Sequence, residues 1–175
     1  MELKLEEAIE ILERTPGILT HFLSGLSEGW LQNREGENTW NAEEVVAHLI
    51  EAEKTNWLPR LETILQDGET RPFPPFDRFA HLKISNQNSL EEKLQEFKTL
   101  RVQNIEKLNH LVDPELHFEL TGIHPEFGSV KLRELLSTWV VHDMTHLSQI
   151  IRVMAERYRE DVGPWANYLG VLKRK

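Results

Sequence analysis

Apolar residues recur every three to four positions along four long stretches of this 175-residue chain, and no stretch alternates convincingly with period two. Residues three and four apart share a helix face, so each stretch presents an apolar stripe that needs a packing partner. The pattern predicts an all-α fold, and four long helices with two sizeable crossings fit a four-helix bundle. A chain of this length can bury a core without cross-links, so residues 1–175 are read as one domain. Cysteine is absent, which excludes disulfides, thiolate ligands and a protein thiol nucleophile. Any thiol chemistry would need a small-molecule thiol.

The first helix is expected over about residues 3–26, on Leu5, Ile9, Leu12, Leu19, Phe22 and Leu23. Pro16 either opens a second helical piece capped by Thr15 or kinks a continuous helix. The second starts at Asn41, with Glu44 completing a capping box, and runs to about residue 66, bent or broken by Pro59. Ser89 and Glu92 form the box that opens the third, to about residue 111. The last is expected over about residues 130–159, stopped by Gly163-Pro164. The crossing from Gly68 to Ser89 holds Phe73, Phe76 and Phe79 among prolines, too aromatic for a solvated linker, and is expected to pack over one end of the bundle. The crossing from Asp113 to Gly128 reads as irregular.

Chemistry points to three histidines: His48 on the second helix, and His142 and His146 on the last. Imidazoles four apart project from one helix face, and a third from a facing helix gives a facial tripod for a divalent metal with open positions. On a helical wheel His146 falls within the apolar stripe, His142 at its edge, and His48 beyond the flank of its own stripe, which suits a cleft or bundle mouth. Asp143 falls near the stripe's centre, where a buried carboxylate must be hydrogen-bonded or paired. His21, His81, His110, His117 and His124 have no partner spacing and read as surface, packing or loop residues. Trp40, Trp57, Trp139 and Trp165 read as packing residues. A zincin peptidase is disfavoured: Asp143 stands where that motif has Glu, and an all-α chain offers no substrate-binding strand.

The net charge of −9 argues against a nucleic-acid partner, whose phosphates require clustered Lys and Arg. The short basic end Lys173-Arg174-Lys175 does not overturn that. The amino terminus lacks a basic segment followed by an apolar run, and no stretch approaches the roughly 18 apolar residues of a membrane span. The expectation is a cytoplasmic protein with neither membrane nor nucleic acid as partner.

Several motifs stand in one order along essentially the whole chain. They are Thr15-Pro16, Leu23-Ser24-Gly25-Leu26, Thr39-Trp40-Asn41 ahead of Glu44-Val45-Val46-Ala47-His48-Leu49, His124-Pro125-Glu126-Phe127-Gly128, His142-Asp143-Met144-Thr145-His146-Leu147-Ser148-Gln149-Ile150 and Gly163-Pro164-Trp165. In that combination the chain resembles the DinB superfamily of DinB-like and YfiT-type metal proteins. The resemblance implies a bundle of up-down-down-up type, commonly a homodimer. It implies a nickel or zinc ion on one histidine of the second helix and two of the last, and the matching positions are His48, His142 and His146. Some relatives are thiol-dependent transferases or isomerases using bacillithiol, mycothiol or glutathione, and others are called hydrolases. The expectation is therefore a metal-dependent enzyme acting on a small molecule, such as a small-thiol S-transferase. A metal-dependent hydrolase, with Glu44, Glu51 or Asp143 as proton acceptor, and a non-enzymatic ligand-binding module are the alternatives.

Overall fold

The structure, a computed structural model, describes residues 3–83 and 88–173. Four long helical stretches form the expected bundle: α1 (Leu5–Leu23), a second stretch whose shorter neighbour α2 (Glu28–Leu31) precedes it and which divides into α3 (Ala42–Thr55) and α4 (Trp57–Gln66), then, after the short α5 (Ala80–Lys83), α6 (Leu90–Leu111), and, after the short α7 (Pro114–His117), α8 (Leu132–Ala155). Both predicted capping boxes are present, Asn41 with Glu44 and Ser89 with Glu92. Part of the Gly68 to Ser89 crossing, 84–87, and the end of the basic tail, 174–175, lie outside the described residues.

Pro16 does not break α1. Lacking an N–H, it leaves the Leu12 carbonyl without its helical donor, and Arg101 Nη1 of α6 donates to that oxygen at 2.8 Å. Pro59 does divide the second stretch: it cannot bond to the Thr55 carbonyl, and the chain turns at Asn56 (φ −108°, ψ −64°) between α3 and α4.

Residue pairs give the helix directions. Lys93 near the start of α6 bridges Glu43 near the start of α3 at 3.2 Å, and Asn104 further along α6 meets Glu53 near the end of α3, so α3 and α6 run parallel. Leu5 and Leu12 of α1 share a cluster with Leu132 and Leu136 of α8, while Leu19 and Leu23 join Ile150 and Met154, so α1 and α8 are parallel too. The latter cluster also holds Val45 and Leu94, from the early turns of α3 and α6, so the two pairs run opposite ways. The topology is up-down-down-up.

Those two apolar clusters are separated by a buried polar layer at mid-bundle. Arg101 donates to Asp143 Oδ2 and Oδ1 at 2.6 and 3.0 Å and to Glu53 Oε1 at 2.8 Å. Trp139 Nε1 and Asn104 Nδ2 also donate to the Glu53 carboxylate, each at 2.9 Å. The wheel's placement of Asp143 at the core is thus met by a guanidinium.

The second crossing is more ordered than its irregular reading. Strands β1 (Thr121–His124) and β2 (Gly128–Lys131) form an antiparallel hairpin with His124 opposite Gly128. Gly128 has φ of 74°, the left-handed conformation that a three-residue hairpin loop requires. Each strand is only four residues long, too short for period two to stand out. The last long helix ends at Ala155, four residues before the expected stop, and continues as 3-10 turns through Gly163. Trp165, read as packing, is 68% exposed.

Candidate metal centre

Three histidines from two helices converge on one point. His48 sits mid-α3, His142 and His146 one turn apart on α8, and their ligand atoms all lie within 4.8 Å of one another. His142 Nε2 lies 3.3 Å from His48 Nε2 and 3.1 Å from His146 Nε2. An ion about 2.1 Å from both nitrogens of either His142 pair would see that separation at roughly 95–105°, within the range of facial coordination.

Protonation agrees with that donor set. His146 Nδ1 donates to Gln149 Oε1 at 2.8 Å, which puts the ring's proton on Nδ1 and leaves a lone pair on Nε2. The buried Nδ1 atoms of His48 and His142 make no hydrogen bond among the described residues. Burial pushes His48 down to about 3, with His146 and His81 adding to the effect. Burial likewise pushes His142 down to about 2, helped by His146 and His48. His146 is lowered by burial against the opposing pull of the Gln149 bond and Asp143. All three are neutral near neutral pH, the form that ligates a cation. Three Nε2 atoms that converge while their rings are neutral fit a divalent ion.

The wheel placed His48 outside the apolar flank, yet it is 4% exposed. Its cover comes from outside α3. The Trp40 ring lies 4.8 Å from it, His81 5.3 Å and Phe76 5.8 Å, the last two carried by the Pro- and Phe-rich crossing. Trp40, read as a packing residue, is 9% exposed and also lines the histidine cavity, as do Phe76 and Phe79. Phe73 packs into the core, so the crossing both covers the bundle and walls the site.

Two cavities flank the histidines. One, of about 610 Å³, contains all three, together with Trp40 and Gln149. Its neighbour, of about 470 Å³, reaches His142 past Trp57, whose ring is 5.0 Å from the His142 ring. Phe76, Arg78 and His142 belong to both. His124 lines the second cavity and His81 is buried beside His48, whereas His21 and His110 are exposed on the surface. Neither His81 nor His124 has helical spacing to the triad, and only their place in the fold reveals them. Arg101 and Glu53 carried a signal that was missed: each occupies an apolar-stripe position, Arg101 between Phe97 and Ile105, Glu53 between Ile50 and Trp57.

The carboxylates considered as proton acceptors lie away from this chemistry. Asp143 is held by Arg101, Glu44 by Arg34 at 2.7 Å to each oxygen, and Glu51, which accepts from the Thr55 hydroxyl, lines neither cavity. Glu35, bridged to Arg152 at 2.9 Å, does line the histidine cavity.

A family model described as the DinB superfamily matches residues 11–150. Among solved structures the chain is similar to YfiT from Bacillus subtilis, described as a probable metal-dependent hydrolase with an unusual four-helix bundle topology. The TM-score is 0.73 at 20% identity, over 92% of this chain and 91% of that one, a likeness of fold. No curated protein matches. Among the described residues no helix is long and apolar enough to cross a membrane.

Proposed function

Since the chain belongs to the DinB superfamily, we propose that it is a metal-dependent enzyme, a small-thiol S-transferase, with His48, His142 and His146 as ligands of one nickel or zinc ion. The convergence of three neutral Nε2 atoms carries the reading. When bound, the ion would supply a Lewis acid that lowers the pKa of a thiol or water in its open positions. The chain's own residues orient the ligands and wall the reactants. Gln149 holds the His146 ring, Trp40 and Phe76 keep water from His48, and the cavities meeting at His142 offer room for two reactants. Transfer from a thiol is favoured over hydrolysis because Asp143 and Glu44 are both paired with arginines and line neither cavity.

A hydrolase is the second reading, supported by the description of YfiT and by Glu35, a carboxylate on the wall of the histidine cavity. The proposal extends to a homodimer. Ile18 and Phe22 of α1 and Val141, Met144 and Ile151 of α8 expose large apolar side chains on two helices that pack together.

Elemental analysis of wild type and His48→Ala tests the centre, followed by a thiol and electrophile panel with and without metal. The reading expects about one ion per chain, marked loss in the variant, and metal-dependent thiol consumption. A wild type without metal after equilibration with nickel and zinc overturns it. Metal-dependent turnover of esters or amides without thiol selects the hydrolase, and saturable ligand binding without turnover selects a binding module.

A further inference from the structure

The cavity beyond His142 has a polar end that the proposed metal chemistry leaves unused. Trp57, Phe73, Phe76 and Phe127 give it aromatic walls, and its volume suits a small organic ligand. On α4, one turn after Trp57, stands Arg60, its guanidinium 5.4 Å from the Phe73 ring centroid. No carboxylate pairs with it among the described residues, and its buried Nε has no hydrogen-bond partner. A half-buried cation left so is costly unless something else answers its charge.

His124 faces the same space with its tautomer fixed. Its Nδ1 accepts the backbone N–H groups of Glu126 and Phe127 at 3.1 and 3.2 Å, so the ring proton is on Nε2, available to donate. The ring is stacked on Phe127 at 4.5 Å and meets the edge of Phe73 at 6.1 Å. Arg60 and His124 both lie against the Phe73 ring, at 5.4 and 6.1 Å, and line the same cavity, and burial followed by the charge of Arg60 lowers the His124 pKa. Asn56, one turn before Arg60 and 5% exposed, lines the cavity with its Oδ1 unpartnered. Of the acids on the rim, Glu134 accepts the Lys131 backbone N–H at 2.8 Å, and Glu126, which is exposed, acts by its charge on His124 but makes no ion pair with Arg60 among the described residues.

We propose that Arg60 and His124 form a carboxylate subsite, and that the substrate is an organic acid whose apolar body lies against the aromatic walls with its reacting end toward His142. A guanidinium fork beside an N–H donor matches the geometry of a carboxylate. The cavity is lined by His142, by Trp57, whose ring is 5.0 Å from the His142 ring, and by Arg60 one turn further along α4, so one ligand can reach both the histidine and the guanidinium. The inference names the substrate class for the reading above and rests on it for which end reacts.

The test is calorimetric titration of 3-phenylpropionate and its neutral amide into wild type and Arg60→Gln, each metal-loaded and chelator-treated. Wild type is expected to bind the acid roughly tenfold or more tightly than the amide, with or without metal. Arg60→Gln should lose that preference while keeping its metal content and its affinity for the amide, which also reports that the cavity is folded. Equal affinities in wild type, a preference that survives Arg60→Gln, or one that vanishes with the metal would each overturn the subsite. A preference that depends on Arg60 in a protein that binds no metal would uphold the subsite while the metal reading fell.

Discussion

Asp143, flanked closely by the two histidines of α8, grips Arg101 of α6 with both carboxylate oxygens, at 2.6 and 3.0 Å. Replacing Arg101 by Leu would leave two carboxylates, Glu53 and Asp143, buried without their cation. The expected loss in urea denaturation is about 3–5 kcal/mol. A loss under about 1 kcal/mol would mean that the carboxylates find protons or water instead.

Acid should destabilise the metal-free protein. Folded His48 and His142 take up protons only near pH 3 and 2, whereas in the unfolded chain they titrate near 6.5. Between these limits the unfolded state binds more protons, so stability is full above about pH 6.5 and falls as pH drops. Glu53, raised by burial against the pull of Arg101, opposes the trend with one proton against three histidines. Urea midpoints of chelated protein should decline from about pH 7 to about pH 5, and a flat profile would contradict the buried neutral assignment.

Gln149→Leu removes the acceptor that fixes the His146 ring. Metal affinity, measured by competition with a chelator, should fall about 10- to 100-fold. Unchanged affinity would show that packing alone orients the ring.

Gly122 is tightly enclosed. A Cβ there would lie 2.7 Å from Phe73 Cε1 and 2.8 Å from Ile64 Cγ1, and both of those side chains are 2% exposed. Gly122→Ala should cost about 1–3 kcal/mol, read as a lower thermal midpoint. An unchanged midpoint would mean that the hairpin shifts freely away from α4.

The long helices were legible because their stripes, caps and prolines act within one or two turns, as Asn41 with Glu44 and Ser89 with Glu92 illustrate. The grouping of His142 with His146 follows from spacing, and their meeting with His48 was expected from the family motifs. What escaped depends on contacts distant in sequence. His48 looked peripheral on its own helix because its cover, Trp40, Phe76 and His81, comes from other segments. The hairpin escaped because its strands are short, and Arg60 with His124 because nothing in the order of residues says that 60 and 124 face one cavity.

The segment that separates the two cavities is tied at one end by the Phe73 N–H to the Ile123 carbonyl, at 2.8 Å, and at the other by α5 packed on α3. Between those ties Phe76 and Arg78 are the residues that line both cavities. A wall made of side chains can be redrawn by point substitution, with no change in chain length and none in the helices that carry the histidines. Chamber shape and ligand set are thus separable variables, and a lineage of such proteins could change what it accepts at positions 76 and 78 while leaving its reaction centre alone.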